Sequence, residues 1–169
     1  MKKSICIFLL VITSALNCFS GCGCDKTDIY GLMGEMCAYF DSNGETDKKY
    51  VLMTDENSSA EKLGRLYTGL HEAPGCYQLI TGYAVRLPAD ESGFEIHALR
   101  CRNRSDTEEV AELLRKRIKK ISSSEIKEYA PESFEMYFAG SEIFVYRDTV
   151  YLLATPDNSA IKRIIKRSA

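Results

Sequence analysis

Seven cysteines, two histidines and 24 acidic side chains are the raw material for chemistry in this 169-residue chain. His97 and Cys101 stand four apart in a β-rich run and so share one face of a strand, which is half of a zinc site or a Cys–His dyad. A metal needs three or four ligands, no third candidate has suitable spacing, and His71 lies 26 residues away. Glu91 and Glu95 have the residue type for an acid and a base on one sugar, but acids beside a strand turn are ordinarily solvated. DSNGETD, Asp41 to Asp47, sets oxygens at alternate positions like a calcium loop. An EF-hand loop begun at Asp41 needs glycine at its sixth position and glutamate at its twelfth, where this chain has Thr46 and Leu52. No G-x-S-x-G, H-E-x-x-H, P-loop or dinucleotide fingerprint is present, so no catalytic residue, metal ligand or cofactor is assigned.

The cysteines in FSGCGCDK, residues 19 to 26, ask for a different chemistry. Zinc and redox pairs use C-x-x-C spacing with further ligands close by, whereas Cys22 and Cys24 are separated by one glycine and only Cys37 follows within forty residues. Ahead of them, Lys2 and Lys3 precede an apolar run from Ile5 to Leu16, broken only by Thr13 and Ser14. Twelve residues fall short of the about 17 to 25 that span a bilayer and suit a secretory signal. FSGC resembles the lipobox of bacterial lipoproteins, in which small residues precede a cysteine that is acylated and becomes the mature N-terminus. Phe19 stands where leucine is usual. The expectation is a signal peptide over residues 1–21, lipidation at Cys22 and residence on the outer face of the cytoplasmic membrane, since two or more acyl chains anchor stably.

Without residues 1–21 the chain has 148 residues, one domain's worth, with 20 basic against 24 acidic side chains and a net charge of −4. Cys24, Cys37, Cys76 and Cys101 then remain. Their spacing is irregular and a chain this long needs no staples, so they read as free, buried thiols.

The elements that would position these residues follow from periodicity. Ile29, Leu32, Met33, Met36 and Phe40 recur at helical spacing behind Asp28 as cap, and the methionines read as core. A second helix follows, with Ser58 and Glu61 as a capping box, Leu63, Leu66, Tyr67 and Leu70 as its stripe, and Pro74 and Gly75 as its stop. Residues 78–87 and 93–103 read as two strands. An amphipathic helix comes next, capped by Asp106 and Glu109, with Arg115 to Lys120 matching its C-terminal dipole. SEIFVYRDTVYLLATP reads as a hairpin turning near Arg147 and Asp148, followed by a short helix, DNSAIKRIIKRS.

The expected fold is α+β: two strand-strand-helix units forming a four-stranded antiparallel sheet, with helices packed on one face and two N-terminal helices ahead of it. Residues 22–57 are assigned to an anchored N-terminal segment and 58–169 to the α+β domain.

Residues 60 to 165 resemble a family of small Gram-positive lipoproteins known only as a domain of unknown function. The similarity rests on LGRLYTGL, FEIHAL, EEVAELLRKRI, the YAP of Tyr129 to Pro131 and TVYLLATPD. In that family the last hairpin turns at a glycine followed by a polar residue, where this chain has Arg147 and Asp148. The resemblance implies a fold and an address, and no activity.

Charge is unevenly placed, net −7 over residues 22–99 and net +3 over residues 100–169. Lys162, Arg163, Lys166 and Arg167 surround Ile161, Ile164 and Ile165, which makes the last helix basic outside. Those cations either complement its dipole or touch anionic headgroups or acidic wall polymer. The expected function is a non-catalytic module that binds a partner protein or envelope polymer, joined to the bilayer through acylated Cys22, with no nucleic acid; a cell-envelope hydrolase or transferase is the alternative.

Overall fold

The computed structural model describes residues 28–44, 49–89, 93–123, 132 and 134–168. The signal segment, Cys22, Cys24, Glu91, the second half of the DSNGETD turn and the YAP segment lie outside the described residues.

The periodic segments form four α-helices among the described residues: α1 (Ile29–Ser42), α2 (Ala60–Thr68), α3 (Thr107–Ser123) and α4 (Asn158–Ser168). Asp28 caps α1 by accepting from the N–H groups of Tyr30 and Gly31, each at 3.1 Å. The other caps shift from the expected residues. Ser59, one position later than expected, accepts from Lys62 N and starts α2. Asn103 and Asp106 form a capping box on the 3₁₀ turn Arg104–Asp106, which leads into α3.

Five strands, rather than four, form one antiparallel sheet. They are β1 (Tyr50–Thr54), β2 (Ile80–Pro88), β3 (Glu95–Cys101), β4 (Glu142–Tyr146) and β5 (Thr149–Ala154), in the order β1-β2-β3-β5-β4. The unexpected strand is β1, which lies between α1 and α2 and pairs Leu52 with Arg86 and Thr54 with Ala84. Residues on both sides of position 58 therefore build the sheet.

The expectation of helices on one face is also corrected. Side chains alternate along a strand, and here both sets are apolar. Tyr83, Val85, Leu99 and Leu152 face α2 and α3, while Ala84, Ile96, Ala98, Tyr151 and Leu153 face α1 and α4. A single layer of helices would leave one of these sets in water, so helices cover both faces. At about 25 cal/mol per Å² of buried apolar surface, the second layer contributes substantially to stability. No helix among the described residues is long and apolar enough to cross a membrane.

Candidate functional site

Alternation along β3 turns Glu95, His97, Leu99 and Cys101 toward α2 and α3. Two polar side chains thus enter an apolar layer, and each needs partners there. Glu95 receives Arg117 of α3, whose Nε donates to Oε2 at 3.1 Å and whose Nη2 donates to Oε1. His97 Nε2 lies 2.8 Å from Glu95 Oε2, and Tyr67 Oη of α2 lies 2.7 Å from His97 Nδ1. Tyr67, His97 and Glu95 are 1%, 0% and 2% exposed.

Protonation follows from the surroundings. Burial alone would raise the Glu95 carboxyl, but the His97 hydrogen bond and the Arg117 charge outweigh it and hold it at about 2. As a carboxylate it only accepts, so His97 Nε2 carries the proton and Nδ1 accepts from the Tyr67 hydroxyl. Burial pushes the imidazole below its usual range, against the pull of Glu95, and pushes the Tyr67 phenol well up. Hydroxyl, imidazole and carboxylate stand in the order of a nucleophile, its base and the group that orients the base. Here the phenolic proton is committed to His97 beneath the surface, and what the chain of groups does is tie α2, β3 and α3 together.

The structure separates the residues that spacing pairs. Cys101 shares a face with His97 but packs among apolar side chains, and its thiol is pushed up to about 12, chiefly by burial. Glu95, a candidate acid or base beside Glu91, is consumed by its buried ion pair. No group of three or more His, Cys, Asp or Glu able to hold a metal occurs among the described residues.

Spacing alone makes Tyr67 a member of an apolar stripe and Arg117 a match to a helix dipole, so their pairing escapes the sequence. The available signal is FEIHAL, where Glu95 and His97 share a strand face with Leu99. The other face of the sheet carries a second buried charge, Arg86, which is 2% exposed. Its guanidinium lies 3.6 Å from the Phe94 ring centroid and 4.6 Å from that of Tyr50, and Nη1 donates to Phe94 O at 2.6 Å.

The cations of α4 divide between two surfaces. Arg163 and Arg167 line a groove of about 830 Å³ between α1 and α4, with Glu35, Tyr39 and Ile164. Lys162 pairs with Glu142 at 2.9 Å and Lys166 sits 5.7 Å from the Phe144 ring centroid, both on the β4 side. A smaller pocket of about 540 Å³ opens between the C-terminal ends of α2 and α3, walled by Tyr67, Leu70 and three lysines. Compared with known proteins, the chain matches no protein-family model, no curated sequence and no solved structure.

Proposed function

We propose that this protein is a lipid-anchored module on the outer face of the cytoplasmic membrane. It is tethered through acylated Cys22 and binds a partner protein or an envelope polymer without catalysing a reaction. The observation that carries this reading, beside the FSGC motif and the resemblance to small lipoproteins, is the placement of α4 against α1. Ser168 Oγ donates to Glu35 Oε2 at 2.7 Å, and Arg167 Nη2 lies 3.8 Å from the same oxygen. The basic end of α4 therefore sits beside the first turns of α1. Only five residues lie between Cys22 and Asp28, and the six steps from one to the other reach at most about 20 Å. A tether at Cys22 would bring Lys166 and Arg167, both exposed, near anionic headgroups, where each charge contributes about 1 kcal/mol.

The acid–base grouping in β3 supports binding over hydrolysis, because its hydroxyl and imidazole are engaged with each other and with Glu95 below the surface. The test is fractionation of cells expressing the full chain and its Cys22→Ser variant. Wild type is expected in the membrane with its signal removed, and the variant uncleaved or released. A Cys22→Ser protein that is processed normally and stays with the membrane overturns the anchor.

A further inference from the structure

We propose that the pocket between the C-terminal ends of α2 and α3 is a seat for a phosphate-bearing anion. This deepens the binding role proposed above by naming a ligand class; the class rests on that role alone, and the choice of its source rests also on the lipid anchor. The pocket is built by the way α2 stops. Gly69 takes the left-handed conformation, φ 81°, and its N–H donates to Arg65 O. Lys120 of α3 then reaches across, its Nζ donating to Arg65 O at 3.1 Å and Leu66 O at 3.5 Å. Lys116 and Lys119 stand on the same wall.

The arginines of this helix segment are already matched with acids. Arg117 holds Glu95, and Arg115 holds Glu108 and Glu112. Lys116 and Lys119 have no carboxylate within 4.0 Å among the described residues. Two helix C-termini supply about half a negative charge each. That does not cancel the three lysines of the lining, so a positive surplus remains among the described lining residues. Burial and then the nearby charges of Arg117 and Arg65 lower the Lys120 ammonium, as expected in such a field.

The residue types narrow the ligand. Ammonium groups act as point charges and suit phosphate, while planar bidentate recognition of carboxylates favours arginine. Leu70, 55% exposed, adds an apolar wall, which fits a carbon skeleton attached to the phosphate. The pocket lies level with Glu95 and His97, on the sheet face away from α1. The start of α1 packs near Gly82 and Arg100, toward the other end of β3. Three to five residues of strand separate these levels, about 10 to 17 Å. A chain tethered ahead of α1 would turn the pocket away from its own bilayer, so the favoured source is a soluble phosphate ester or a phosphate polymer.

The experiment uses the full lipidated chain in detergent micelles, titrated calorimetrically at low and high salt with short-chain polyphosphate, polyglutamate and phosphatidylglycerol vesicles. Polyphosphate is expected to bind best and in a salt-sensitive way. The double variant Lys116→Gln, Lys119→Gln should weaken it about tenfold and flatten its salt dependence, because two cations no longer meet phosphate. Leu70→Asp, which keeps both lysines and alters an exposed position, should weaken it as well, while Arg163→Gln with Arg167→Gln on the opposite face should not. No binding at low salt, an equal loss in the α4 variant, or a preference for polyglutamate or vesicles overturns the proposal. Polyphosphate binding that survives undiminished in both pocket variants would sink the pocket and leave the binding role standing.

Discussion

Arg117→Met removes the cation from the buried network while keeping most of the side chain's aliphatic bulk, and its cost can be worked out in two ways. Stripping one partner from a buried ion pair leaves the other charge uncompensated, at about 3 to 5 kcal/mol. Independently, a carboxyl held at about 2 when its ordinary value is 4.5 contributes about 3 kcal/mol of stability at neutral pH, shared here between Arg117 and the His97 hydrogen bond. The second route assigns Arg117 only a share of that figure, so the expected loss is about 2 to 3 kcal/mol, a large part of the about 5 to 15 kcal/mol that holds a typical domain together.

The assay is urea unfolding at neutral pH, where the midpoint should fall with an unchanged slope. The pH dependence gives a sharper check. Glu95 is depressed in the folded protein, so its contribution is fully present above about 4.5 and is lost as pH falls toward 2. The gap between wild type and Arg117→Met should therefore narrow across that window. Glu95→Gln added to Arg117→Met should recover part of the loss, because no unpaired carboxylate is then buried. A gap under about 1 kcal/mol at neutral pH, or one that stays constant through the acid range, would refute the reasoning.

Arg147 is the one non-glycine residue with positive φ among the described residues, 55°, at the first of the two positions joining β4 to β5. Glycine is the usual residue there, so Arg147→Gly should stabilise by about 1 kcal/mol in the same urea assay, and a loss of stability would contradict the strain. Cys37, Cys76 and Cys101 are free and buried, with thiols pushed up chiefly by burial. Peptide mapping should find all three alkylated only after denaturation and without need of reduction; a disulfide-linked pair among them would contradict the structure.

Asp28 and the Ile29–Phe40 stripe define α1 from neighbours a few residues away, and the apolar and charged faces of α3 do the same, so both helices were legible locally, although α1 continues to Ser42 beyond its apolar stripe. The two long hairpin segments were legible for the same reason, as was the turn at Arg147 and Asp148. Caps were less secure, because Ser58 and Ser59, or Asp106 and Glu109, offer competing oxygens within one turn. What no local signal fixed was pairing. Tyr50–Thr54 is a short β-rich run, and only the arrival of β2 some thirty residues later makes it the sheet's edge. The near-continuous burial of β3 and β5 hinted at cover on both sides, but which helix lies on which face depends on how the whole chain closes.

The buried network shows the same limit most clearly. Tyr67, Glu95, His97 and Arg117 come from three elements, and each has an adequate bland account in its own neighbourhood. Glu95 and His97 lose their water only when α2 and α3 settle on β3, and it is this desolvation that makes Tyr67 and Arg117 their obligatory partners. The lysine-walled pocket likewise exists only because Gly69 ends α2 beside the last turns of α3. Periodicity and caps act over a few residues and were written in the chain; desolvation acts between elements and was decided by their packing.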